Sequence, residues 1–196
     1  PSIAKTMSDF GMTRTFTWIM PGSNDRNFDQ NYEFHVTRLK PVASILADHG
    51  IRFGLEFVGP KRSRDSFRHP FVYTTHAMLR MAKDVGSNCG LLLDSWHWYT
   101  SEGTEADLLA LTEQDVVYVH TNDAPAGIAV DDQLDHKREL PKATGVIDLD
   151  TFFGSLRKIG YAGPVVVEPF LESLKELPSD EDRLRKVGDS LTQTLA

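Results

Sequence analysis

One cysteine, Cys89, stands among 196 residues, which excludes a disulfide framework within the chain. A reducing cytoplasm is the simplest setting for such a sequence. No run approaches the roughly 20 consecutive apolar residues that span a bilayer, so a membrane partner is not expected. No signal-peptide pattern is legible at the start, which is Pro1 rather than methionine and suggests a processed or truncated product. Basic residues are also short: 21 Lys and Arg face 28 Asp and Glu, a net charge of -7. Nucleic-acid binders usually carry a basic face, so no nucleic-acid partner is expected either. The one basic stretch, "PKRSRDSFRH" (60–69), reads first as a solvated loop.

What the chain does contain is a series of short apolar runs. They are "RTFTWIM" (14–20), "RFGLEFV" (52–58), "GLLLD" (90–94), "VVYVHTN" (116–122) and "PVVVEPF" (164–170). Most are continuously apolar rather than alternating, the pattern of strands buried on both faces of a parallel sheet. Helical patterns lie between and after them, over 31–50, 70–86, 105–114, 150–160 and 180–195. Gly50 and Gly160 are expected to close two of these helices, and Asp150 to cap one. Pro41 should kink the first or start a second helix. Strand–helix alternation implies right-handed βαβ units in one α/β domain over 1–196, without a composition break or repeat. Five units suit an open sheet or part of a barrel, since a complete (β/α)₈ barrel has eight units in about 250 residues.

The polar residues decide between these. Glu56, Asp94, His120 and Glu168 each sit at or near the C-terminal end of an apolar run. In a parallel α/β barrel those ends converge on the catalytic face. Three converging carboxylates would repel one another. A divalent cation resolves the conflict, and the mixed O/N set suits Mn²⁺, Mg²⁺, Co²⁺ or Zn²⁺. A single strand-end acid is more often a helix cap or ion-pair partner; four at matching positions favour a metal site. His97 lies one turn beyond Asp94 and should point toward the same pocket. Trp96 and Trp98 either wall that pocket or pack in the core.

The motifs "GLEF", "LLLDSWH", "VYVHTNDAP" and "TGVIDLDTFFGSLRKIGYAGPVVVEPF" resemble the sugar phosphate isomerase/epimerase family, the xylose isomerase-like TIM barrels. The resemblance covers nearly the whole chain from about Thr13 onward. It implies a (β/α)₈ TIM-barrel fold of which this chain holds the C-terminal five β/α units, beginning at the fourth strand. It implies that Glu56, Asp94, His120 and Glu168 bind the metal, and that Glu56 and Glu168 also exchange protons with a sugar or sugar-phosphate. His97 and Arg138 match residues that contact substrate. Two departures stand out. No acid follows Glu56 in "FVGPKRSR", where the ketose epimerases carry a second glutamate, and "APAGIAVDDQLDHK" is an insertion ahead of Arg138.

The implied activity is metal-assisted enolisation, giving an isomerase or epimerase through an enediolate. Lys61, Arg62 or Arg64 would meet a phosphate if the substrate has one. A dehydratase using the same proton abstraction is the alternative. A metal-dependent endonuclease would need more strand-end histidines and a basic face. A truncated barrel could also be a non-catalytic metal-binding fragment, or pair with another copy as a homo-oligomer.

Overall fold

The computed structural model describes residues 1–195. A helix not expected from the sequence, α1 (Ser2–Asp9), precedes the first long strand, β1 (Arg14–Ile19). A two-residue strand, β2 (Gly22–Ser23), leads to the long helix α2 (Phe28–Ala47). Next come β3 (Arg52–Phe57), the single turn α3 (Lys61–Arg64), the two-residue β4 (His69–Pro70), α4 (Thr75–Val85) and β5 (Cys89–Asp94). Helices α5 (Ser95–Thr100) and α6 (Glu105–Leu109) precede β6 (Val116–Thr121). The chain continues with α7 (Leu149–Lys158), β7 (Val165–Val167) and α8 (Asp180–Leu195).

Strands β1, β3, β5, β6 and β7 form one parallel sheet in that order, while β2 and β4 pair separately and antiparallel. The apolar runs are buried as their composition requires: every residue of β5 is buried, and all of β3 but Arg52. Burying Leu91, Leu92 and Leu93 contributes about 1.5–3 kcal/mol each. Helix α4 covers the outer face with Met78, Met81, Ala82 and Val85, and α7 with Phe152, Phe153 and Leu156. The sheet is strongly curled. Three strand spacings separate β1 from β6, roughly 14 Å in a flat sheet. Yet the rings of Phe16 and Tyr118 approach to 5.0 Å, and Arg14 Nη1 donates to the Val117 carbonyl at 3.0 Å. The result is a parallel half-barrel of a (β/α) type, with β1 and β7 as its edges.

Several boundaries move for identifiable reasons. Helix α2 starts at a capping box: Asn27 accepts from the Gln30 N–H at 3.0 Å and Gln30 accepts from the Asn27 N–H at 3.1 Å. Pro41 lies inside this one continuous helix and starts no second one. The helix closes through Gly50 at φ 69, with Ile51 N–H donating to Leu46 O and Gly50 N–H to Ala47 O, both at 2.9 Å. Asp148, not Asp150, caps α7 by accepting from the Thr151 N–H at 2.9 Å. The helix over 70–86 begins only at Thr75 because residues 69–70 pair with β2. The helix over 105–114 ends at Leu109 because Thr112 and Asp115 form a capping box of their own. The last strand stops at Val167, and Phe170 N–H turns back to the Glu168 carbonyl at 2.9 Å. Among the described residues, no helix is long and apolar enough to cross a membrane.

Candidate metal centre

Register brings the polar strand ends together. Asp94 on β5 is the direct neighbour of His120 on β6, and Trp18 on β1 is the neighbour of Glu56 on β3. Glu168 follows β7 immediately. One donor atom from each of Glu56, Asp94, His120 and Glu168 lies within 4.8 Å of the others. His120 Nδ1 is 3.6 Å from Glu56 Oε1 and 3.8 Å from Glu168 Oε2, beyond a hydrogen bond in both cases. Glu56 Oε1 and His120 Nδ1 are buried and have no hydrogen-bond partner. Orphaned buried polar atoms are costly. A cation shared by both would satisfy them, so the residues present fit a divalent metal with an oxygen and imidazole donor set.

Asp94 is fully buried, and its two oxygens have separate tasks. Oδ1 accepts from the Trp96 N–H at 2.9 Å and caps α5. Oδ2 accepts from Arg138 Nη1 at 2.8 Å. Burial alone would raise its pKa, but Arg138, His97 and His120 outweigh that and hold it below the usual carboxylate value. Glu56 lacks such a partner. Burial, reinforced by the charges of Asp94 and Glu168 and only partly offset by His120, pushes its pKa up to about 7. Burial also raises that of Glu168, against the lowering effect of Arg138. Burial is the largest single influence on His120 and lowers its pKa, but Glu56, Asp94 and Glu168 together outweigh it and raise the net value.

His97 reaches the same place from α5. Its Nδ1 accepts from the Gly59 N–H at 3.1 Å, and its Nε2 lies 4.0 Å from Asp94 Oδ2. Burial drops its pKa to about 4. Arg138 arrives from the long segment after β6. Asp123 returns that segment to the strand end: it exchanges two backbone hydrogen bonds of 2.9 Å with Glu139, while its carboxylate accepts from the N–H groups of Ala124, Thr144, Gly145 and Ile147. Arg138 N–H then donates to the Phe170 carbonyl at 3.1 Å, and Nη1 reaches Glu168 Oε2 at 2.8 Å as well as Asp94.

A cavity of about 210 Å³ opens onto the cluster, with Trp18, Val58 and Phe170 as apolar walls and Asp135 as a polar one. Trp18, Phe170, Asp135, Asp123 and Gly59 were not picked out by sequence; the pairing of Trp18 with Glu56 is the signal that would have found the first. Of the two expected tryptophans, Trp96 packs beside Arg138, 5.2 Å from its guanidinium carbon. Trp98 goes to the core against Phe152 instead. The basic stretch is already engaged. Lys61 pairs with Asp131 at 3.0 Å and Arg62 with Asp132 at 2.6 Å, while Arg64 donates to the Gly59 carbonyl and stacks on Tyr73. A larger cleft of about 610 Å³ between α2 and α4 contains none of the four cluster residues.

Comparison with known proteins agrees with this architecture. The chain is 28% identical over 166 residues to an inosose isomerase of Halalkalibacterium halodurans, covering 82% of this chain and 54% of that one. It is 29% identical over 134 residues to a ketose 3-epimerase of Arthrobacter globiformis, covering 68% and 40%. The chain thus spans about half the length of the curated relatives it matches. Among solved structures, the IOLI protein with a bound zinc atom superposes with a TM-score of 0.83 at 21% identity, over 98% of this chain and 66% of that one. The profile of the xylose isomerase-like TIM barrel matches residues 2–192, and with the half-barrel and its ring of strand-end acids in view, the chain belongs to that family.

Proposed function

We propose that this chain carries the metal site and proton-transfer groups of a divalent-metal-dependent isomerase or epimerase acting on a sugar or sugar-phosphate. The carrying observation is the convergence of Glu56, Asp94, His120 and Glu168, with Glu56 Oε1 and His120 Nδ1 buried and unpartnered. The relatives named above as isomerase and epimerase support the reaction class.

Glu56, Asp94, His120 and Glu168 would hold the metal, which supplies Lewis acidity toward a substrate carbonyl. Glu56, its pKa near neutrality, is suited to take the proton next to that carbonyl. Glu168 borders the cavity and returns a proton, to the opposite face for epimerisation or to the neighbouring carbon for isomerisation. His97 carries its ring proton on Nε2, because Nδ1 accepts from Gly59, and offers that proton to a substrate oxygen. Arg138 orients substrate with the N–H not already spent on acids. Trp18 and Phe170 offer apolar walls to one side of the sugar. A dehydratase would share the first step and differ only in product. The one cysteine, Cys89, is free and buried, in keeping with a reducing cytoplasmic setting.

Two measurements test this. Mn²⁺ titrated into the metal-stripped chain should bind one-to-one and fail in Asp94→Ala. Ketoses incubated with the Mn²⁺-loaded chain in D₂O should acquire deuterium next to the carbonyl. Binding without exchange across the ketoses would overturn the catalytic reading and leave a metal-binding protein.

A further inference from the structure

The geometry points to a second role for Arg138: it is the resident counter-ion of the acid cluster, and it sets the affinity for a divalent cation by competing for the oxygens of Asp94 and Glu168. This rests on the metal-centre reading above and deepens it.

Arg138 is not a side chain waiting in solvent. It is 3% exposed, and its guanidinium carbon lies 5.2 Å from the Trp96 ring and 4.9 Å from that of Phe170. Its outer edge is fixed: Nε donates to the Asp135 carbonyl at 2.9 Å and Nη2 to Asp135 Oδ1 at 3.0 Å. Asp135 Oδ1 is itself anchored by the Trp96 indole N–H at 3.1 Å. The inner edge, Nη1, is thereby aimed at Asp94 Oδ2 and Glu168 Oε2, each at 2.8 Å.

The contested atom is Glu168 Oε2. It lies 3.8 Å from His120 Nδ1, so it faces the centre of the cluster, yet it is also the oxygen that Arg138 holds. A cation at the centre and the guanidinium draw on the same electron pairs. Charge points the same way. The three carboxylates of the cluster and that of Asp135, set against one guanidinium, leave three negative charges in excess, so the site still attracts a divalent ion. Arg138 therefore leaves room for a metal but repels it, since like charges within one buried cluster repel strongly. In return, the fully buried Asp94 keeps a partner when no metal is bound, and an unpaired buried charge is strongly destabilising.

A role limited to gripping sugar predicts that removing Arg138 leaves metal affinity unchanged. The counter-ion role predicts the opposite. The test is calorimetric titration of MnCl₂ at pH 8 into the metal-stripped full chain, as wild type, Arg138→Gln and Arg138→Lys, with thermal melting of each metal-free form. Arg138→Gln should bind Mn²⁺ about tenfold or more tightly than wild type, the sign set by loss of a neighbouring positive charge. Its metal-free form should melt several degrees lower. Arg138→Lys, which keeps the charge and loses the fork, should bind Mn²⁺ much as wild type does. If wild type binds and Arg138→Gln binds equally or more weakly, this proposal falls and the metal centre stands. If neither binds, both fall. If Arg138→Gln is unfolded without metal, refolding by Mn²⁺ at concentrations that do not fill the wild type supports the proposal, and failure to refold overturns it.

Discussion

The backbone N–H of Gly59 donates to Nδ1 of the buried His97 ring at 3.1 Å. That contact fixes the ring proton on Nε2. Burial keeps the ring neutral, with its pKa lowered from 6.5 to about 4. The unfolded chain binds this proton from pH 6.5 downward and the folded chain does not. Stability from this group is therefore full above pH 6.5 and is lost as pH falls through about 4, on the order of 3 kcal/mol in all. Urea melts of wild type and His97→Gln across that window should diverge accordingly. Parallel profiles would show that His97 is not held neutral.

Gly59 itself has no space to spare. A Cβ there would collide with the His97 carbonyl and the Thr100 hydroxyl. Gly59→Ala should cost about 1–3 kcal/mol through overpacking. It should also shift the ¹⁵N resonance of His97 Nδ1 as the bond from residue 59 lengthens. An unchanged imidazole spectrum would remove Gly59 from the site's support.

Metal affinity should depend on pH through Glu56. Its pKa near 7 means that a proton must leave before the carboxylate can bind a cation. Below pH 7 the apparent Mn²⁺ affinity should fall by at least about tenfold per pH unit, and more steeply where His120, whose pKa is also raised, must lose its proton too, and at higher pH it should level off. Titrations in buffers of different ionisation enthalpy would count the protons released. A flat profile from pH 5.5 to 8 would contradict the assignment.

Glu168→Gln keeps the size of the side chain and removes its capacity to carry the proton. Deuterium exchange into a ketose should fall by roughly 10²–10⁴-fold, the usual weight of a general acid or base. His97→Ala should raise KM more than it lowers kcat. A fully active Glu168→Gln variant would sink the proton-transfer role.

Asp123 predicts a purely structural loss. Its buried carboxylate accepts four backbone N–H groups of the segment that surrounds Arg138. Asp123→Ala should destabilise the fold by about 3 kcal/mol or more, because each stranded donor carries its own desolvation cost. Denaturant melts measure this directly, and a loss below about 1 kcal/mol would mean that water replaces the carboxylate.

The parallel sheet was legible because "GLLLD" and "VVYVHTN" read as strands buried on both faces. That the sheet is part of a barrel was legible from the ionisable residues at its strand ends, Asp94 and His120 among them, and from the family resemblance. The surroundings were not legible for a definite reason. Asp135 belongs to an insertion whose path depends on Asp123 and Glu139 pairing 16 residues apart, and nothing local announces that pairing. Gly59 carries no local signal, because its contact with His97 crosses 38 positions. The fate of Lys61 and Arg62 was hidden likewise, because their partners Asp131 and Asp132 lie 70 residues on.

The strands of the sheet lie side by side in the order in which they occur along the chain. A polypeptide leaving the ribosome can therefore add each unit to the edge left by the one before, with no rearrangement of what has already docked. Glu56, Asp94, His120 and Glu168 arrive in the same sequence. The first three wait in an unfinished wall, and Arg138, ahead of Glu168 in the chain, supplies a positive charge for Asp94 before the last acid joins the cluster.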